Sequence, residues 1–149
     1  MTLVKTLHIA AGVLWLGNFV ITGLWSVRAF ADGRAALRRF AVREIIFTDV
    51  VFTFVAGAAV TMSGIGLASL EGIPVWGTFW TRAALITSFG SGLLWLAWLV
   101  PLELRMRTLV EREPDGTRLM RAFVWWNIGG WSITVALFAI IYLMVGKPV

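Results

Sequence analysis

Few side chains in this sequence are able to do chemistry, and they are spread thinly. His8 is the only histidine and there is no cysteine. His8 lies in "KTLHIAAGVLWLGN", Lys5 to Asn18, an otherwise apolar run, with Gly12 at i+4 and Trp15 at i+7 on one helical face. A histidine above a glycine is one way for a helix to admit a flat macrocycle. The imidazole supplies an axial nitrogen to iron, the bare Cα leaves room for the ring edge, and a cation such as Arg82 pairs with a propionate. The plainer reading has His8 hydrogen-bonding a neighbouring helix or interfacial water, Gly12 permitting close packing, and Arg82 reaching the headgroups. Spacing alone leaves both open. The remaining polar residues in apolar surroundings are Asp49, Asn18 and Asn127.

The elements that must position these groups follow from composition. Hydrophobic residues make up 59% of the 149 and charged residues 14%, where a soluble domain has about a quarter charged. Four long apolar runs, about 3–27, 45–70, 79–102 and 122–145, each approach or exceed the ~20 residues that cross a bilayer as a helix. The expected fold is an all-α integral membrane four-helix bundle forming a single domain, 1–149. Ala29-Phe30-Ala31 imitates a cleavage site, but the first run is long for a leader, carries only Lys5 before it and has Arg28 and Arg34 around the supposed cut, so it is read as a span.

The net charge of +5 reflects topology rather than a nucleic-acid partner. Ten of the thirteen basic residues lie in two stretches: Arg28, Arg34, Arg38, Arg39 and Arg43 between spans one and two, and Arg105, Arg107, Arg112, Arg118 and Arg121 between spans three and four. The positive-inside rule makes both loops cytoplasmic and both termini external, with attraction to anionic lipid headgroups as a secondary role for the arginines. "RAFADGRAALRRFAVRE" reads as a short amphipathic surface helix after the Asp32-Gly33 turn. Trp76 and Trp80 suit the outer aromatic belt, and Trp25, Trp98, Trp125 and Trp126 the inner one. Antiparallel running of the helices places His8 and Arg82 at one shallow outer depth. Asp49 and Asn127 then share an inner depth and are expected to hydrogen-bond, directly or through water.

A resemblance adds to this reading. "LHIAAGVLWLGN" opening a four-span chain, "TDVVFT" followed by "SGIG", "LLWLAWLVPLELRMR" closing span three, and "RAFVWWNIGG" leading to "GKP" together resemble a bacterial four-helix membrane family of unassigned function. That family is similar in turn to HemJ-type protoporphyrinogen oxidases and to copper-resistance-D-like membrane proteins. The resemblance implies haem b binding through His8, a functional cation at the place of Arg82, and a last span whose ends are marked by Asn127 and Lys147-Pro148. It also shows departures. Where HemJ-type proteins have an Asn-Glu-aliphatic-Pro run, this chain has Asn127-Ile128-Gly129-Gly130, and arginine replaces a lysine that is able to give up its proton. Porphyrinogen oxidation loses its support, and whether the chain is an enzyme stays open.

Copper transport fares worse, because there is one histidine, no cysteine, and no helically spaced pair among Met1, Met62, Met106, Met120 and Met144. Met62 and Met144 lie at depths suited to a sixth ligand. Two function classes remain. One is a haem b protein of the bacterial cytoplasmic (inner) membrane with an electron-transfer or porphyrin- or quinone-type redox role, its site made of His8 as metal ligand with Gly12, Trp15 and Arg82. The other is a cofactor-free accessory subunit of a larger respiratory or photosynthetic assembly, a role suited to a small chain with no evident carboxylate pair. Either way the expected partners are the lipid bilayer and other membrane subunits or further copies of the chain, with no nucleic acid.

Overall fold

The computed structural model describes residues 1–147. Among these there is no strand, and four helices are long and apolar enough to cross a membrane: α1 (Thr2–Asp32), α2 (Ala35–Leu70), α3 (Phe79–Arg112) and α4 (Thr117–Gly146). Pro148, part of the "GKP" motif, lies outside the described residues. The breaks fall where the sequence supplies turn chemistry. Gly33 takes a left-handed φ of 85° after α1, and Gly72 one of 67° after α2, a region that residues with a Cβ enter at a cost. Pro114 and Gly116 interrupt the chain between α3 and α4.

The helices run alternately up and down in a ring. α1 packs on α2 and α4, and α3 packs on the other sides of the same two, so α1 and α3 lie diagonally opposite. Large apolar side chains such as Val13, Ile21, Phe54, Ile86, Leu93 and Val135 point outward, as lipid-facing residues do. One end of the bundle carries the two tight arginine-rich loops, and is called here the loop end. The other carries both termini and the 71–78 connection.

Two expectations need correction at the loop end. The stretch after Gly33 forms no separate surface helix; from Ala35 it is the beginning of α2 itself, which runs 36 residues. Likewise α3 continues to Arg112 rather than stopping near residue 102. The cause is packing. Ala41, Val42 and Ile45 of α2, Met106 and Val110 of α3 and Leu119 of α4 are all at most 2% exposed and join one apolar cluster. At about 1.5 Å per residue, α2 is roughly 54 Å long against a hydrocarbon layer of about 30 Å, so the bundle core extends beyond the lipid. Trp126 is corrected with them: it is buried in this cluster and takes no place in an interfacial belt.

The same end is closed by Arg38, whose guanidinium donates to the Phe30 carbonyl at 3.4 and 3.3 Å, to the Pro114 carbonyl at 2.9 Å and to Asp115 at 2.6 Å. It thereby ties the end of α1 to the α3–α4 turn. A weaker ion pair joins Arg39 to Glu111 at 3.4 Å.

Candidate functional site

The contact of α1 with α2 is built from a row of residues at alternating three- and four-residue spacing, and it places both groups of chemically capable side chains. Near the termini, the His8 ring lies across Gly64, so closely that a Cβ there would stand 3.0 Å from His8 Cε1. His8 Nδ1 is 2.9 Å from the Val60 carbonyl and 3.1 Å from Ser63 Oγ. A carbonyl only accepts, so this bond selects the Nδ1–H tautomer and leaves the Nε2 lone pair free, the arrangement in which histidine binds metals. Val60 is able to offer this bond because Ser63 caps the same carbonyl only weakly, at 3.2 Å, and bonds Ala59 more closely.

The other residues expected beside His8 have different neighbours. Gly12 faces Val60, where a Cβ would meet Cγ2 at 3.7 Å. Trp15 is buried against Gly57, at which a Cβ would come within 3.1 Å of the indole, and its Nε1 has no hydrogen-bond partner. Arg82 is exposed and donates to the Trp76 carbonyl at 3.2 Å, securing the 71–78 connection. Because α1 and α3 are diagonal, a single chain does not bring Arg82 to His8. Met62 is 72% exposed and turned away from the bundle.

Further along the seam, near the middle of the helices, a polar network crosses the bundle. Asp49 is 3% exposed. Its Oδ1 accepts from Asn18 Nδ2 at 3.3 Å and Thr53 Oγ1 at 2.9 Å, and its Oδ2 from Trp95 Nε1 at 2.9 Å. Asn18 also donates to Thr53 at 3.0 Å and accepts from Thr22 at 3.1 Å. Three helices therefore converge on one carboxyl group. A second carboxyl, Glu103, is also 3% exposed, accepts from Trp126 Nε1 at 2.9 Å and stands within hydrogen-bonding reach of Asp49.

Both partners of the Asp49–Trp95 bond open a stretch of wide, π-type helix, Asp49–Phe54 in α2 and Trp95–Leu99 in α3. Such insertions re-aim side chains and concentrate at functional sites. On the far side of the second stretch, Gly129 of α4 lets Leu99 and Trp98 approach; a Cβ there would be 2.7 Å from Leu99 Cδ2.

Asp49 makes no direct bond to Asn127, whose Nδ2 reaches the Phe123 carbonyl at 3.5 Å while its buried Oδ1 has no partner. Instead the two border a single small cavity of about 10 Å³, with Thr22, Trp126 and Trp131 among its other walls. A second, open and largely apolar groove of about 610 Å³ runs between α1 and α4, from Val27 and Phe30 to Asn127 and Trp131. Neither borders His8.

The family described as "predicted integral membrane protein", DUF2269, matches residues 2–148. The chain belongs to the DUF2269 family. Comparison with curated proteins and with solved structures gives no match. What the DUF2269 match states is an integral membrane protein, and the four helices long and apolar enough to span make it multi-pass.

In this DUF2269 protein the residues missed from sequence are Glu103 and Trp95, together with the pairing of two carboxyl groups and the role of Trp126, which reads from sequence as a belt residue. Glu103 falls outside the spans read from sequence because the apolar run ends at residue 102. A signal was present nonetheless: Leu99, Glu103, Met106 and Val110 follow the four–three–four spacing of one buried helical face, and all four are buried.

Proposed function

We propose that this DUF2269 protein is a redox subunit of the bacterial cytoplasmic membrane that binds haem b through His8 at its terminus-side end. The observation that carries the reading is the bond from His8 Nδ1 to the Val60 carbonyl. It holds the imidazole in the one tautomer whose Nε2 is a metal ligand, and fixes its direction from the neighbouring helix. The resemblance of its motifs to a family similar in turn to HemJ-type proteins supports the same residue.

The residues present would hold haem iron through a single side chain. His8 supplies the donor nitrogen, the Val60 carbonyl raises its basicity, and Gly64 gives the ring its space. Gly12 against Val60 and Trp15 against Gly57 hold α1 and α2 in the register that aligns them. When bound, haem supplies one-electron transfer. Its remaining contacts, including any propionate pairing by Arg82, come from a second copy or another membrane subunit, because Arg82 and His8 stand on opposite helices of one chain. The basic loop end faces the cytoplasm by the positive-inside rule, which puts His8 toward the external side.

The second reading is the cofactor-free accessory subunit. It is favoured by the fact that Val60 and Ser63 already satisfy Nδ1 and that neither cavity borders His8. Absorption spectra of the protein, purified with its native partners from haem-replete cells, separate the two. A Soret band with b-type reduced maxima, lost in His8→Ala while the chain still inserts, is the expected result. A colourless wild-type protein overturns the haem reading and leaves the accessory one. A haem retained unchanged in His8→Ala assigns the ligand elsewhere.

A further inference from the structure

Two carboxyl groups out of water on neighbouring helices are costly, and such groups inside a membrane protein mark functional sites by default. A structural role for one hydrogen-bonding centre requires no carboxyl at all; asparagine or serine would serve. This bundle nevertheless buries both Asp49 and Glu103, gives each a tryptophan N–H donor, and spaces them within reach of each other. Beside Asp49 lies a cavity of the size one water fills, and the buried Asn127 Oδ1, which only accepts, borders it without a partner.

We propose that Asp49 and Glu103 form an intramembrane proton-binding site, the two carboxyl groups holding one exchangeable proton between them and a water in the adjacent cavity joining Asp49 to Asn127. The water donates one hydrogen to Asn127 Oδ1 and the other to the Asp49 carboxylate, which completes both acceptors. In exchange the carboxyl O–H bond breaks as a new O–H bond forms on that water, which releases one of its own protons outward, so that the water is regenerated and the carboxylate is left to take up a proton by the reverse step. Exchange with the outside runs past Asn127 and Trp131, because these two residues also line the open groove between α1 and α4. The groups facing the pair are Asn18 and Thr22 from α1, Thr53 from α2, Trp95 from α3, and Trp126 and Asn127 from α4. None of these facing groups is an acid or a base, so among the described residues the two carboxyls of the pair are the titratable side chains of the network. Neither the arginines nor His8 belong to this network, so the site is independent of haem.

Infrared spectroscopy of the full chain in lipid membranes tests this directly. At neutral pH the protein should show the carbonyl stretch of a protonated carboxylic acid, and the band should shift in heavy water. Glu103→Gln should abolish it, because the pair then lacks the second carboxyl group with which the proton is shared. Asn127→Leu should slow its deuterium exchange. The absence of any carboxylic acid band at neutral pH overturns the proposal, as does a band that never shifts in heavy water. An exchange rate unaffected by Asn127→Leu overturns the water route. If a variant fails to insert, isotope-labelled aspartate or glutamate in the wild-type chain still reports whether the exchanging band belongs to this pair. The readout is a carboxyl vibration, so its failure is separable from a failure of the haem assignment.

Discussion

The two ends of the bundle are built on different principles. At the loop end, Phe30, Ile45, Leu99, Met106 and Leu119 are sealed to 2% exposure or less, as in the core of a soluble helical protein. Toward the termini the buried apolar residues of α2 and the first half of α3 are alanines, Ala56, Ala68 and Ala84, and these two segments barely touch. There α2 meets α1 through glycine and small side chains, even though α1 and α4 still bury Trp15, Ile133 and Leu137. The difference follows from the solvent. Where the bundle projects beyond lipid, burial of large apolar groups drives association; within lipid that gain vanishes and close approach with a few hydrogen bonds must suffice. The loop end is thus a rigid base, the carboxyl network sits at the transition, and His8 lies in the half that has surface left for a partner.

The comparison is broken most severely by emptying the base. Met106→Ala removes a fully buried side chain and should cost about 2–5 kcal/mol. Leu7→Ala near the termini, where Leu7 is 56% exposed, should stay within about 0.5 kcal/mol. Thermal unfolding of the two variants in one detergent measures the contrast; equal losses would show that the two ends share one kind of core.

Next in size is the network at the transition. Asp49→Ala strands the donors of Thr53 and Trp95, while Asn18 keeps its bond to Thr53, and each buried group left unpaired costs about 1–3 kcal/mol. Asp49→Asn keeps the shape and one acceptor oxygen, enough for Asn18 and Thr53 but not also for Trp95, and should be milder than the alanine variant in unfolding assays, since interhelical bonds in membranes are worth only about 0.6 kcal/mol on average. Equal damage by the two would mean that the carboxylate charge itself holds the helices together.

These particular residues also show what the sequence makes legible. The four spans and the shared end of the two basic loops follow from hydropathy and from the alternation of helix direction, and the structure reproduces them. Hydropathy marks only the part of a helix that lipid covers, so it misses helix continued by packing: Ala41, Val42 and Ile45 look like a surface stripe until Met106 and Val110 are found against them. Asp49 and Asn127 were legible as polar intrusions. Their partners were not, because a π-type insertion shifts which face a residue presents, and at Asp49 and Trp95 it re-aims both ends of the bond that joins them. His8 was legible by its type, and Gly64, which receives its ring, by nothing in its spacing from His8.

That last contact sharpens the comparison on the terminus side. Gly64→Ala brings a methyl group to 3.0 Å from His8 Cε1, so the imidazole must shift and its bond to Val60 lengthens. The expected cost is about 1 kcal/mol, with a fall in haem content if His8 is the ligand. Gly66→Ala, two residues away, meets open space and should leave both stability and haem content unchanged. A Gly66 variant as damaging as the Gly64 one would place an unseen partner on that face and detach the effect from His8.

The smallest expected effect lies at the loop end and tests which part of the Arg38 clamp matters. Asp115 is 76% exposed in its side chain, so its ion pair with Arg38 is screened, and Asp115→Ala should change stability by no more than about 0.5 kcal/mol. Arg38 itself is only 12% exposed in its side chain and also serves the Phe30 and Pro114 carbonyls, which lose their donor in Arg38→Ala. The arginine substitution should therefore be clearly more harmful than the aspartate one, and raising the salt concentration should erase the Asp115 effect while leaving most of the Arg38 effect in place. Thermal unfolding at low and high salt reads both. If the two variants prove equal, the ion pair alone closes this end, and the rigidity of the base owes more to surface charge than to the carbonyl bonds that join α1 to the α3–α4 turn.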